Sequence, residues 1–557
     1  MANGYIHGKA DFSWWMTQIR MGIQYRKKTA HESKWQAWRQ YYRGDWNDNT
    51  LPSNVVFRML RATVPRVYFR NPNVSIVSRR SGPDGLARAR ILERVDNNLL
   101  RRMKIKNHLK GMVQDTFMFG TGVGKLGYGS EYSPTPEVIT TEDPTEKGKG
   151  DYNIEYNSLV IPNMPWFMRV PTGSFIVPAN CIDRESARWM AHWVRRPYED
   201  VVNDPRLKHV RGLSPTSSTN SDLGIVHSRK EGEEHMVDLI EIRDKKARQV
   251  IVIAPYLSDK ILFQGDDELQ IAGDIPFFTS VYNPDDEHFW GIADMKIIEP
   301  QQLELNEINT SIMYHRRMSI VKILIQEGGM TEPEAAKLIS EDPHAVIFTK
   351  ENPELAVKIM QASQIPQDLF TAKENIFADI RENLGFSRNE SGEYQGGSRK
   401  PTATEVGVVK NASDIRVNER RDVMADVLVD VVSSMHQIVF EHWGEEQIID
   451  VAGPDGAPVW VRFKGEMLKS GSYEVSVDPD TGLPDTRESR RLNAVEEYNL
   501  LKDNPLIDPE KLTRFLLNEM GDTAYDSMLK TANPMAPGGQ QNPIDFQDYQ
   551  KQMAGGG

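Results

Sequence analysis

Residues 294–318, DMKIIEPQQLELNEINTSIMYHRRM, decide the fold that we expect for this chain. Ile298, Leu305 and Ile312 recur every seven residues, with Ile308 between them, which predicts one helix with a narrow apolar seam. At 1.5 Å per residue this helix would extend about 37 Å, a length that suits packing against parallel copies of itself. The stretch therefore predicts a subunit that neighbouring copies complete.

The segment after this helix predicts a compact insertion and a returning helix. Within residues 319–365 we expect a strand at 320–325, an acidic helix at 332–340 and a strand at 345–348. A second helix then covers 366–385, because six apolar residues lie on one stripe: Leu369, Phe370, Ile376, Phe377, Ile380 and Leu384. The chain thus leaves along one helix and returns along another.

A basic loop and a long helix follow. Residues 386–400 are rich in glycine and almost free of apolar side chains, so we expect a flexible loop. Its cations are Arg388, Arg399 and Lys400. Thr402-Ala-Thr-Glu405 is a capping box, which predicts the start of a helix that reaches about Trp443.

The regions on either side mix helices and strands. Before residue 294 the pattern predicts helices at 86–100 and 105–119, followed by strands that include a hairpin around Asp244. Polar stretches at 130–150 and 211–233 predict surface loops. After the long helix we expect a hairpin at 448–463, a strand at 473–477, helices at 486–501 and 509–520, and a loose tail from 531. This mixture predicts an α+β fold.

Charge is unevenly distributed along the 557 residues, whose formal net charge is −12. Residues 1–110 hold 22 Lys and Arg against 7 Asp and Glu, a net of +15, whereas the remainder holds 45 against 72, a net of −27. The acidic remainder repels phosphate, which argues against a domain that reads DNA sequence. The basic region favours either contact with DNA or pairing with an acidic face of a neighbouring subunit.

Membrane, disulfide and cofactor chemistry find no support in the sequence. No apolar run approaches the roughly 18 residues of a membrane span, and the first ten residues lack an apolar signal segment, so we expect an intracellular product. Cys181 is the sole cysteine and cannot form an internal disulfide. Because nucleophile and zinc motifs are missing, we expect no catalytic residue, no metal and no cofactor.

One glycine motif suggests nucleotide binding but has the wrong surroundings. Gly122-Val-Gly-Lys-Leu-Gly127 matches the dinucleotide-binding pattern, yet a predicted helix precedes it and a predicted strand follows it, which reverses the required order. Phe119 and Leu126 stand where a phosphate-binding loop needs Gly and Ser or Thr. We interpret the segment as a helix end that enters a strand.

The order of these segments, over nearly the whole chain, resembles the portal proteins of tailed bacteriophages. The stretches that carry the resemblance are Leu60–Val77, Phe119–Tyr128, Trp290–Asn309 and Pro401–Glu405. The resemblance implies an elongated, portal-like α+β subunit. Its expected parts are a mixed α/β wing (1–293), two stem helices (294–318 and 366–385), a small α/β clip (319–365), a tunnel loop (386–400), a long helix with wing strands (401–485), a helical crown (486–530) and a flexible tail (531–557).

The resemblance also implies a function without enzymatic activity. Portal subunits form a ring, usually of twelve, at one capsid vertex, through which double-stranded DNA is packaged and ejected. The implied partners are further copies of the chain, terminase, head-completion or adaptor proteins, and the major capsid and scaffolding proteins, with no membrane. The implied location is the virion, after assembly in the host cytoplasm.

Two sets of residues are candidates for these contacts. Cations expected to face the channel and touch phosphates without reading bases are Arg316, Arg317, Lys373, Arg388, Arg399 and Lys400. Acidic residues expected to bind partners at the clip are Glu332, Glu334, Glu341 and Asp342.

Two other functions stay open on the sequence. A different ring-forming protein of the virion neck would need no helix–insertion–helix segment of this length. A nucleotide-binding enzyme would need a strand before Gly122 and measurable nucleotide binding.

Overall fold

The computed structural model describes residues 11–555 with gaps. The longer gaps are 130–138, 141–151, 154–163, 214–234, 386–402, 478–494 and 517–543, and the others are six residues or shorter. The chain divides into two compact units. Unit 1 comprises Met1–Ser33, Ala62–Ala293 and Ile415–Gly557, and unit 2 comprises Lys34–Arg61 and Asp294–Asp414.

Helices dominate both units. The helices in the described part of the chain are α1 (Phe12–Thr29), α2 (Trp35–Arg43), α3 (Val55–Val67), α4 (Pro83–Arg102), α5 (Ile105–Phe119), α6 (Tyr198–Asn203), α7 (Asp294–Met318), α8 (Glu332–Ile339), α9 (Asp368–Leu384), α10 (Ala403–His442), α11 (Gly465–Lys469) and α12 (Phe546–Gly555).

The strands complete the α+β fold predicted from the sequence. They are β1 (Val74–Ser78), β2 (Gly122–Tyr128), β3 (Ile139–Thr140), β4 (Tyr152–Asn153), β5 (Pro165–Val170), β6 (Phe175–Ile176), β7 (Trp189–Pro197), β8 (Met236–Asp244), β9 (Gln249–Ile253), β10 (Ile261–Asp266), β11 (Phe277–Ser280), β12 (Lys322–Ile325), β13 (Val357–Met360), β14 (Gln447–Ala452), β15 (Pro458–Phe463), β16 (Tyr473–Val477) and β17 (Ile544–Asp545).

Five strands of unit 1 form an antiparallel sheet in the order β10–β9–β8–β7–β6. Because successive side chains along a strand point to opposite faces, each strand contributes to two layers. Trp193, Ile240 and Ile251 lie on one face and pack with Trp15 and Ile19 of α1. On the other face, Val237 and Leu239 pack with Val201 of α6. A layer of helix therefore lies on each side of this sheet.

The larger core of unit 1 surrounds the second half of α10. Val431, Val432 and Met435 are fully buried there, together with Leu92 of α4 and Leu109 of α5. The portion Val417–His442 is long and apolar enough to cross a membrane by length and composition alone, but half of its most apolar window is buried within the protein. Packing in this core accounts for the apolar character of the helix.

Residues 544–555 differ from the loose tail that the sequence predicted. β17 pairs in parallel with β15, where Ile544 lies opposite Val461, and α12 packs on α4. Phe546 and Tyr549 of α12 are buried in the core around α10. Two large aromatic residues three positions apart supply enough apolar area to dock a short terminal helix.

Unit 2 contains two further departures from the predicted layout. The strand predicted at 345–348 is wrong: Val346 and Phe348 are exposed outside regular structure, and the partner of β12 is β13 instead. Val357-Lys-Ile-Met360 alternates apolar and polar side chains over its first three residues and so suits a strand on a small sheet. Residues 34–61 belong to unit 2, whereas the sequence grouped them with the preceding wing.

Several predicted segments lie wholly or largely outside the described residues. These are the loops at 130–150, 211–233 and 386–400, the capping residue Thr402, and most of the helices at 486–501 and 509–520. β3, which lies in the first of these loops, pairs with β4, a pairing that the sequence did not predict.

Candidate functional site

Helices α7 and α9 of unit 2 form an antiparallel pair joined by the insertion. Asn383, near the end of α9, donates from Nδ2 to Oε1 of Gln301, near the start of α7, over 3.4 Å. Ile298 and Leu305 of α7 and Ile380 and Leu384 of α9 are buried. The sequence therefore predicted both helices correctly, and part of each predicted apolar stripe is buried.

A polar stripe on α7 fixes this helix against the segment that leads into α3. Gln302 Oε1 accepts hydrogen bonds from the backbone N–H groups of Val55 (3.0 Å) and Val56 (3.2 Å). One turn further, Asn306 Oδ1 accepts from the N–H of Ser53 (2.8 Å). Because the first N–H groups of a helix have no partner inside it, these contacts cap α3 with side chains from α7.

Sequence reasoning missed this stripe, although its spacing is visible. Gln302, Asn306 and Thr310 lie four residues apart, and Thr310 Oγ1 accepts from the N–H of Leu51 over 3.0 Å. Polar residues at this spacing occupy one face of a helix, beside the apolar seam. This spacing was the available signal. The partners of buried Gln302 and Asn306, however, lie some 250 positions away in the sequence.

Three candidate cations lie on α7 and α9 toward the ends that join the insertion. Counted along each helix from the contact between Asn383 and Gln301, Asp368 and Arg316 are both about 22 Å away at 1.5 Å per residue. Lys373 is then displaced from Arg316 and Arg317 by about 8 Å along the helix axis, from the 1.5 Å rise per residue. Both arginines are exposed and Lys373 is partly exposed. Arg316 and Arg317 lie in the last turn of α7, where the helix dipole favours positive charge.

The remaining candidate cations follow α9 in the sequence. Arg388, Arg399 and Lys400 lie outside the described residues, but the chain enters their segment at Gly385, directly after α9. Gly385 lies two residues after Asn383, and Asn383 contacts Gln301. Along α7, Gln301 and Arg317 are about 24 Å apart. The end of α9 and the two arginines of α7 therefore lie at different heights along the helix pair.

The insertion carries the acidic candidates, and two of them are described. Glu332 is exposed at the start of α8. Glu334 is engaged within the insertion, since Oε1 accepts from Lys337 Nζ (2.9 Å) and Oε2 from the N–H of Phe348 (3.2 Å). The Lys337 hydrogen bond, with that of Phe348, lowers the pKa of Glu334 below its ordinary value. Glu341 and Asp342 lie outside the described residues.

The glycine motif lies at a helix end that enters a strand, as predicted. α5 ends at Gly120 in the left-handed region (φ 86°), and β2 follows. A Cβ on Gly124 would lie 2.2 Å from the Phe167 ring, so this glycine permits close packing of β2 on β5. Lys125 is fully buried, and its Nζ donates to Glu241 Oε2 over 2.8 Å, which leaves it paired inside the protein.

The residues around Lys125 form a chain of alternating charges inside unit 1. Glu241 also accepts from Arg243 (2.7 Å), and Arg243 donates to Asp267 (2.6 Å). Burial alone would raise the pKa of Glu241, but Lys125 and Arg243 together hold it well below its ordinary value. Burial and the nearby Lys125 lower the pKa of His192 to about 3. This arrangement has the character of a paired structural network.

The acidic run near His288 does not assemble a metal site within the described residues. His288 Nδ1 lies 3.3 Å from Asp285 Oδ1, and no group of three or more His, Cys, Asp or Glu side chains comes together in the described part of the chain.

Comparison with known protein families supplies the decisive observation. The model of a family described as phage SU10 portal protein matches residues 129–554, which is more than three quarters of the chain. The chain belongs to the phage portal protein family. The match confirms the resemblance inferred from the order of segments and includes the whole of α7, the insertion and α9.

Membership of the portal family shows what kind of protein this chain is and where it is located. Portal proteins are structural ring-forming components of a capsid vertex, so the chain is a virion protein of the head-to-tail connector. A search of curated proteins finds no significant match to the chain.

Proposed function

We propose that about twelve copies of this portal subunit form a closed ring through which double-stranded DNA enters and leaves the capsid. The antiparallel pair of α7 and α9 supports this proposal most directly. It buries an apolar seam but leaves Leu303, Tyr314 and Phe370 more than 40% exposed. Adjacent copies would cover these side chains, as expected for helices that line a ring.

In this proposal α7 and α9 form the stem of the ring, residues 319–365 the clip and residues 386–400 the tunnel loop. Arg316, Arg317 and Lys373 would place one ring of cations at the clip end of the channel. Arg388, Arg399 and Lys400 would place a second ring at the other end. Such contacts touch phosphates without reading bases, which lets DNA slide while it is held.

The proposed partners follow from this placement. The clip would bind head-completion or adaptor proteins through Glu332, Glu334, Glu341 and Asp342, while terminase would dock on the ring during packaging and hydrolyse ATP in place of this chain. Major capsid and scaffolding proteins would surround the ring while the capsid assembles in the host cytoplasm.

Light scattering of the purified chain tests the ring directly. We expect a mass of roughly twelve copies of the 63.4 kDa chain and a central channel in electron micrographs. A monodisperse monomer at micromolar concentration and ordinary salt contradicts the proposal.

The channel contacts are tested separately with Arg316→Ala, Arg317→Ala and Lys373→Ala combined in one chain. This variant should assemble normally but retain less DNA per particle, since each lost cation removes phosphate contacts from every subunit. Lys350→Ala, which removes an exposed cation of the insertion, is the control. Unchanged DNA content in the triple variant would show that these cations do not face the channel.

A further inference from the structure

The five-stranded sheet of unit 1 presents two different surfaces to the outside. One face of the sheet is covered by α1, and the opposite face bears a cavity of about 290 Å³. Strand parity fixes this arrangement: Trp193 and Ile240 face α1, whereas their neighbours Val194 and Leu239 line the cavity. The outer face of α1 and the mouth of the cavity therefore lie on opposite sides of one rigid layer.

The outer face of α1 is basic with one apolar residue at its centre. Arg20, Lys27 and Lys28 are exposed, and none of the three has an ion-pair partner in the described part of the chain. Met21 lies among them and is 45% exposed. No exposed acidic residue occurs within α1, so its solvent face carries positive charge alone.

The cavity on the other side of the sheet has apolar walls and an acidic rim. Its walls include Val194, Leu239, Val252 and Phe263. Its buried charges are already paired: Arg196 with Asp204 at 3.1 Å, Arg243 with Asp267 at 2.6 Å, and the more exposed Arg206 also with Asp204 at 3.1 Å.

Two carboxylates of the rim have no such partner. Asp266 and Glu268 are exposed beside the cavity and form no ion pair with any described residue. The excess charge at this surface is therefore negative, and it complements the outer face of α1.

We infer that the outer face of α1 in one copy docks on the cavity of the next copy. Met21 enters the cavity between its apolar walls, and Arg20, Lys27 and Lys28 pair with Asp266 and Glu268. The inference rests on the proposed ring and specifies one subunit contact within it.

Geometry and chemistry both favour a second copy of this chain as the occupant. A ring requires two complementary surfaces on different sides of each subunit, and a single sheet with a basic helix on one side and an acidic cavity on the other supplies them. Methionine adapts its flexible side chain to irregular apolar gaps, and charge pairs at the rim set orientation and register.

Charge reversal tests the contact in the full-length chain at low salt. Arg20→Glu, Lys27→Glu and Lys28→Glu in one chain should raise the protein concentration needed for half-assembly at least tenfold, measured by light scattering. Asp266→Lys with Glu268→Lys should have a similar effect. A chain that carries all five changes should assemble within about threefold of wild type, because the charges are exchanged and the pairing is kept.

Two controls show whether the loss of assembly is specific to this contact. The first control replaces exposed Arg101, at the end of α4, and exposed Lys104, just after it, by Glu, and this variant should assemble within threefold of wild type. In the second control, circular dichroism should show that every variant is folded. Met21→Gln should weaken assembly while the charges of both surfaces stay unchanged. Suppose that wild type forms rings. The contact is then wrong, while the ring stands, if either reversal assembles normally, if the five-change chain is not rescued, or if the control is equally impaired. If wild type forms no ring, the proposed function itself fails.

Discussion

Helices α10 and α9 each carry an apolar stripe, but they bury it to very different extents. In unit 1, Val431, Val432 and Met435 of α10 are fully buried by other parts of the same chain. In unit 2, Phe370 of α9 is 46% exposed, and Leu324 and Phe348 of the insertion are 50% and 70% exposed. The second half of α10 is thus stabilised within one chain, whereas α9 and the insertion leave apolar surface that suits other chains.

The largest loss of stability is expected from breaking the buried pair of Asp96 and His436. His436 Nε2 lies 2.5 Å from Asp96 Oδ2 inside the core of unit 1. His436→Leu should lower the free energy of unfolding by about 4 kcal/mol, because it leaves a buried carboxyl group without its partner. Urea denaturation measures this loss, and a value below about 1 kcal/mol would show that the pair is not part of the core.

The same pair gives a pH dependence whose sign is fixed by burial. Burial raises the pKa of Asp96, and the neighbouring His436 opposes this shift. A raised pKa in the folded state means that stability is greatest below the unfolded pKa and is lost as pH rises. The free energy of unfolding of His436→Leu is compared with that of a matched chain that carries both Asp96→Leu and His436→Leu. The deficit of His436→Leu should be larger at pH 7 than at pH 4. Equal penalties at both pH values contradict this assignment.

A smaller but substantial loss is expected when Lys125 is replaced. Lys125→Met removes one partner of buried Glu241 but leaves Arg243, so we expect a loss of about 3 kcal/mol. The pKa of Glu241 is held low in the folded state, so its contribution is present at neutral pH and falls as the solution becomes acidic. Saturable ATP or NAD binding by wild type that Lys125→Met abolishes would overturn the structural interpretation of the glycine motif.

The docked terminal segment should contribute less, because it can detach without unfolding the rest of unit 1. Phe546→Ala should lower the free energy of unfolding by about 2 kcal/mol, less than the roughly 3–5 kcal/mol expected for an aromatic side chain in a fixed core, because the terminal helix can detach locally. Gln547→Ala, an exposed neighbour on α12, should change it by less than about 0.5 kcal/mol. Equal effects of the two changes would show that α12 does not dock on the core.

The smallest effect on stability is expected from deletion of residues 390–398, between α9 and α10. These residues offer little apolar surface, so ring assembly and incorporation into procapsids should stay intact, with stability changed by less than about 0.5 kcal/mol. Packaged DNA should nevertheless be retained less well, because the deletion alters the loop that carries Arg388 and Arg399. Particle counts and genome content distinguish these effects. Loss of ring formation, or unchanged genome content with normal rings, contradicts the tunnel assignment.

The sequence was informative where a pattern is local and misleading where contacts are distant. Helices α7 and α9 follow from apolar spacing within each segment, and their predicted bounds agree closely with the structure. The ion pair of Lys125 with Glu241 joins residues 116 positions apart, and the caps from Gln302 join residues about 250 positions apart. No local spacing encodes such partners.

Two errors have the same physical origin. Val346-Ile-Phe348 is apolar enough for a strand, but the backbone of β12 pairs with β13 instead. The terminal residues follow a stretch rich in Gly, Pro and Gln, yet the helix that carries Phe546 and Tyr549 packs on α4. In both cases a tertiary partner decided the outcome that local composition left open.

Asp96 and His436 are 340 positions apart, so their contact cannot form during synthesis until the second half of α10 has been made. At translation rates of about 5–20 residues per second, α4 would wait roughly 17–70 seconds for the second half of α10 to emerge. During that interval α4 can pack on β1 and α5 but not on the second half of α10, while the intervening α7, insertion and α9 can already fold. An interrupted chain would therefore display α7, the insertion and α9 but lack a finished core, and chaperones and proteases could remove it before it enters a ring.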